Sequence, residues 1–163
     1  MNKILITFFT LLICLTSSIS WGEKWNDLVQ RNGIFFKKFS DIPFSGKIDD
    51  LEYERIIKGE MKDGKKSGFW FTYQKNGQLL YKKLFKDGIQ NGKSFIYHSN
   101  GQLFIKSNYK NSKLEGNSVS YYQNGNLDSK GQYKNGEREG VWISYHPNKK
   151  LSSKIEYKNG LQS

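Results

Sequence analysis

A period of 24 residues runs through most of the chain and leaves little choice of architecture. Gly68, Gly92, Gly116 and Gly140 are each 24 residues apart. The same spacing recurs at Tyr73, Tyr97, Tyr121 and Tyr145, at Leu79, Leu103, Leu127 and Leu151, and at Lys82, Lys106, Lys130 and Lys154. Met61, Phe85, Tyr109, Tyr133 and Tyr157 form a further column. Two turn columns complete the register. One holds Asn76-Gly77, Asn100-Gly101 and Asn124-Gly125, with Asn148-Lys149 as a worn copy; the other holds Asp63-Gly64, Asp87-Gly88, Asn111-Ser112, Asn135-Gly136 and Asn159-Gly160.

Two such turns per repeat cut the chain into segments of strand length. Asn-Gly and Asp-Gly supply the positive φ of type I′ turns, so each segment is expected to fold back antiparallel on the one before it. Phe69, Phe71 and Tyr73 share a parity, as do Phe95 with Tyr97, Val119 with Tyr121, and Val141, Ile143 and Tyr145. One face of each strand is therefore aromatic or β-branched. The other parity carries Trp70, Ser94, Ser118 and Trp142, a more mixed set. The expected fold class is all-β: an elongated stack of antiparallel β-hairpins forming a single twisted sheet, in which each repeat touches chiefly its neighbours.

Residues 1–20 read differently. Lys3, an apolar stretch from Ile4 to Leu15, and small residues at Ser18 and Ser20 follow the plan of a secretory signal peptide, an N-terminal helix cut before Trp21. The apolar run is shorter than the ~20 residues of a membrane span. Export to the periplasm, the cell envelope or the medium is the resulting expectation. Cys14, the single cysteine, would leave with that peptide, and no disulfide framework or cysteine-built zinc site can form. Residues 21–57 fit the repeat less well and are read as an N-terminal cap: a short helix over 24–31, then two strands over 34–39 and 42–48 as a degenerate repeat. Residues 58–163 are the array.

Gly68-Phe69-Trp70-Phe71-Thr72-Tyr73, followed by Asn76-Gly77-Gln78-Leu79, and Tyr133-Lys134-Asn135-Gly136-Glu137-Arg138-Glu139-Gly140-Val141-Trp142 resemble the MORN repeat in its bacterial variant form. Arrays of this kind are commonly assigned to the YwqK family of toxin–antitoxin antitoxins. The resemblance covers about residues 58–163 and implies a structural repeat that binds partners, with neutralisation of a toxin as the role the family name carries. An export signal then requires the toxin to be met in the envelope or outside the cell.

Chemistry of other kinds is scarce. The sequence has no P-loop, no Gly-x-Ser-x-Gly elbow, no His-Glu-x-x-His and no dinucleotide fingerprint, so no enzyme activity, cofactor or metal is expected. His98 and His146 occupy equivalent positions two repeats apart, which at about 4.8 Å per strand separates them by roughly 19 Å, too far to share an ion. Glu115 and Glu139, one repeat apart, are read as turn charges. The candidate partner-binding residues are Trp70, Tyr73, Tyr97, Tyr121, Trp142 and Tyr145, because a thin sheet offers more aromatic surface than it buries. The 26 basic against 15 acidic residues give a net charge of +11, or +10 for a chain starting at Trp21. Lys82, Lys106, Lys130 and Lys154, recurring about every 10 Å, are the candidates for contact with an anionic membrane or envelope surface. A protein partner is the leading expectation, an anionic surface the alternative, and nucleic acid a poorer candidate.

Overall fold

The computed structural model describes residues 22–163. The expected signal peptide lies outside those residues. Fourteen strands follow a single turn of 3-10 helix at Trp25–Asp27. The first two are β1 (Leu28–Arg31) and β2 (Ile34–Lys37). The repeats then supply β3 (Gly46–Glu52), β4 (Arg55–Lys62), β5 (Lys65–Gln74), β6 (Leu79–Lys86), β7 (Ile89–Tyr97) and β8 (Leu103–Lys110). They continue with β9 (Lys113–Leu114), β10 (Gly116–Tyr121), β11 (Leu127–Lys134), β12 (Glu137–Tyr145), β13 (Leu151–Lys158) and β14 (Leu161–Gln162). From β3 to β14 the strands form one antiparallel sheet in chain order, with β9 beside β8 and β10 taking over the pairing from it.

The two turn columns use different geometries, where the sequence predicts one. At Asp63-Gly64, Asp87-Gly88, Asn111-Ser112, Asn135-Gly136 and Asn159-Gly160 both residues have positive φ, as type I′ requires. At the Asn76, Asn100 and Asn124 turns only the glycine does, with φ of 87°, 87° and 81°. There the Asn side chain accepts the backbone N–H two residues on, at 3.0–3.1 Å, and so stabilises a longer loop. The extra loop residue is absorbed as a bulge, and the register slips by one beside Tyr73, Tyr97, Tyr121 and Tyr145.

The cap also departs from expectation. Residues 24–31 are not a helix: after the turn at Trp25–Asp27, β1 pairs with β2 through the type I′ turn Asn32-Gly33. Eight residues are too few to offset helix nucleation, whereas an Asn-Gly turn flanked by Val29 and Ile34 favours a hairpin. Of residues 42–48 only the last three are strand, and the continuous sheet begins at Gly46 instead of residue 58. The cap folds over one face of the first strands. Leu28 and Phe44 join Ile48, Met61 and Trp70 in a buried cluster, with Trp25 and Phe35 packed against it. Backbone bonds from Phe35 N–H to the Gly64 carbonyl and from Gly64 N–H to the Phe44 carbonyl tie the cap to the first repeat turn. A Cβ on Gly64 would lie 2.3 Å from the Ile34 methyl, so this turn glycine is required by packing as well as by φ.

Candidate binding face

Residues directly opposite in an antiparallel ladder share a face. Pairings from strand to strand therefore sort the side chains into rows that run across the sheet. One face, here the inner, carries Trp70, Lys83, Ser94 and Ser107 in register, and later Trp142 opposite Ile155. Trp70 and Trp142 are 5% and 7% exposed, and Ser94 is 2% exposed. The inner face is thus the buried one, although in the central repeats it is built of serines. Each indole donates to a backbone carbonyl, Trp70 to Glu60 at 3.2 Å and Trp142 to Gln132 at 3.1 Å. Each also lies flat against a glycine, where an added Cβ on Gly59 or Gly131 would sit 2.3 Å from the ring. Lys66 is held over Trp25, Trp70 and Phe85, and Arg138 over Trp142 and Tyr157. Of the six aromatic candidates, these two tryptophans are core side chains with little surface to offer a partner.

The outer face is different. Lys58, Phe71, Lys82, Phe95, Lys106, Val119, Lys130, Ile143 and Lys154 pair in unbroken succession and form one row of alternating cation and apolar side chain. The structure therefore brings the lysine candidates and the aromatic parity together on a single face. The Lys82 ammonium lies 4.4 Å from the Phe69 ring centroid, within cation–π range. Lys58, 24 residues before Lys82, is the fifth member, and extending the period backwards would have found it. It alone in the row makes an ion pair among the described residues, with Asp49 at 2.8 Å.

Two residues along each strand from that row, Tyr73, Tyr97, Tyr121 and Tyr145 form a second row toward the loops, each partly exposed. The Phe71 and Tyr73 rings stack at 6.2 Å. On the same parity Phe69 is 36% and Val141 44% exposed, so apolar surface remains open to solvent along the rod. Loop side chains staple one repeat to the next. Gln78 donates to the His98 carbonyl, Asn100 to that of Gln123, Asn126 to that of Pro147, and the Tyr122 hydroxyl to that of Tyr145.

The remaining polar candidates have structural partners. The His98 ring donates from Nε2 to the Tyr121 carbonyl at 2.7 Å and packs on Phe104, while His146 is exposed. Glu115 and Glu139 each accept the backbone N–H of the next repeat's turn, Asn135 and Asn159, at 2.9 Å. Burial, and secondly Tyr133, raises the Tyr109 pKa above 10.0, which keeps that phenol neutral at physiological pH. Among the described residues no group of three or more His, Cys, Asp or Glu side chains converges on a point where a metal could bind.

No curated protein gives a significant match to the chain. The family pattern described as the MORN repeat variant matches residues 90–111, 114–135 and 138–159, three successive repeats in phase with the strands and turns above. Residues 90–159 of this chain are therefore a MORN-repeat domain, and its repeats supply most of the outer face.

Proposed function

We propose that the protein is a non-catalytic, exported scaffold whose outer sheet face holds a protein partner, and that neutralisation of a toxin is its sharpest form. The observation that carries this reading is the tyrosine row with its open apolar flank. Tyr73, Tyr97, Tyr121 and Tyr145 recur on one face of a MORN-type sheet, beside exposed Phe69 and Val141. Amphipathic rings of this kind, rigid and half-wet, contribute strongly when a partner desolvates them. The test is crosslinking of the tagged chain in its native envelope, followed by mass spectrometry. The expected result is one stoichiometric protein, lost when Tyr97 and Tyr145 are both changed to Ala. Toxicity of that protein when made alone supports the antitoxin form. Retention of the same proteins by the double variant would sink the reading.

A second reading, peripheral attachment to an anionic surface, is favoured by one observation: all five lysines of the 24-residue column fall on this one face. Vesicle sedimentation that weakens as salt rises is its expected signature.

A further inference from the structure

The lysine row has a geometry more specific than a positive patch. Nine strands contribute to it, from Lys58 in β4 to Lys154 in β13. Its eight steps span roughly 38 Å at about 4.8 Å per strand. Cations recur every second strand, about 9.6 Å apart, with Phe71, Phe95, Val119 or Ile143 between them. Lys82, Lys106, Lys130 and Lys154 form no ion pair among the described residues, so four charges in line are free for an external anion.

The face is also indented. At the β-bulges that interrupt the register between Lys58 and Glu60 and between Lys130 and Gln132, clefts of about 350 and 310 Å³ open beside the row. They are equivalent in the repeat: Lys58, Phe69 and Phe71 line the first, Lys130, Val141 and Ile143 the second. Each sets one ammonium beside two apolar side chains in a hollow large enough for a sugar ring; in the first Lys58 is already paired with Asp49, while in the second Lys130 forms no ion pair among the described residues.

Shape decides between a plane and a line. A sheet twists by roughly 20° per strand, so the face normal turns by about 160° over eight steps. A flat bilayer meets only the lysines that point toward it at one place on such a spiral, whereas a flexible polymer can follow all of them. The spacing of two strands is also the length of a disaccharide in an extended pyranose chain. The apolar faces of pyranose rings suit Phe71, Phe95, Val119 and Ile143.

We propose that this row binds a linear acidic polysaccharide, laid across the strands, with one carboxylate per disaccharide meeting successive lysines. This rests on the second reading above and replaces its lipid surface by a polymer; it does not depend on a protein partner. The probe is a size series of hyaluronate oligosaccharides, which carry one carboxylate per disaccharide, titrated into the purified protein. Chitin oligosaccharides of equal length serve as the neutral control.

Affinity is expected to rise with length and to level off near four disaccharides, the span of the row, and to fall about tenfold with a several-fold rise in salt. Lys106→Gln with Lys130→Gln should weaken binding roughly tenfold. Lys110→Gln with Lys134→Gln, which removes the same charge outside the row, should leave it nearly unchanged. Unaltered circular dichroism confirms that both variants fold. Equal loss from both pairs, equal binding of the neutral series, or no binding of hyaluronate would each overturn the proposal. Anionic vesicles bound more tightly than the polymer would also overturn it, and would leave the row to lipid while the anionic-surface reading stands.

Discussion

At the scale of single residues, the pairing of glycine with tryptophan explains why the inner face looks inconsistent along the chain. Where the inner position is Trp70 or Trp142, the residue eleven before it is Gly59 or Gly131; where it is Ser94 or Ser118, that residue is Lys83 or Ser107. The indole occupies the space a Cβ would need. Gly131→Ala should therefore cost about 2–3 kcal/mol by overpacking, read from urea unfolding. In a Trp142→Ser background, which copies the central repeats, the same change should cost under about 0.5 kcal/mol or even stabilise, since alanine is the better strand residue. A full penalty in both backgrounds would show that the indole is not the cause. The worn turn offers the opposite sign. Lys149 holds φ of 69°, a conformation three equivalent loops give to glycine. Lys149→Gly should raise stability by about 0.5–1 kcal/mol, with a matching rise in Tm.

At the scale of elements, the sheet has a weak seam and a latched end. Between β8 and β10 Val119 pairs with Lys106 and Ser120 with Ile105, and β9 adds two rungs before the strand is interrupted at Glu115, whose N–H donates to the Asn108 carbonyl at 2.9 Å; the four rungs compare with five between β6 and β7 or β11 and β12. Amides of β9 and β10 should exchange with deuterium faster than those of β5, β6, β11 and β12, because fewer bonds must open to expose them. At the capped end Lys66 sits inside three aromatic rings while burial, and then the charge of Lys83, lowers its pKa below the ordinary 10.5 against an opposing pull from Glu52. The unfolded chain keeps that proton to higher pH than the folded one. Stability from this group therefore rises as pH climbs through the folded pKa toward 10.5, and the cost of charging it is fully present below. In Lys66→Met the rise of the urea midpoint over that alkaline window should be smaller than in the unaltered protein, while tyrosine ionisation affects both alike. The hairpins and the I′ turn column were legible in the sequence because Asn-Gly and Asp-Gly act locally. The cap was not, because a helix over 24–31 and a hairpin through Asn32-Gly33 compete, and the deciding contacts to Gly64 and Met61 are distant in sequence. Which face is buried was equally hidden: parity separates Phe71 from Trp70, but only the cap and the two glycines determine which side closes.

At the scale of the whole molecule, these elements divide the rod unequally. Toward the N-terminus the cap, the first repeats and Trp70 share one buried cluster; Trp142, the other buried tryptophan among the described residues, lies beyond the seam against Tyr133, Arg138, Gly131 and the Gln132 carbonyl. In a quasi-one-dimensional array each repeat gains stability from its neighbours, and a weak interface lets the two sides uncouple. Urea unfolding followed by tryptophan fluorescence should then show two transitions. The earlier should report the C-terminal block through Trp142 and the later the capped block through Trp25 and Trp70. Trp142→Phe is expected to remove the earlier fluorescence change and leave the later midpoint where it was, because that block makes its core without it. Binding provides a second check on the same partition. A ligand engaging Lys82, Lys106, Lys130 and Lys154 together bridges the seam, since two of these lysines lie on either side of it. Binding to the folded state adds stability only to the block that would otherwise open. A saturating hyaluronate octasaccharide should therefore move the earlier transition toward the later one and merge them, whereas a single disaccharide should move neither. Two transitions that persist unchanged with the octasaccharide bound would mean that the polymer engages one block alone.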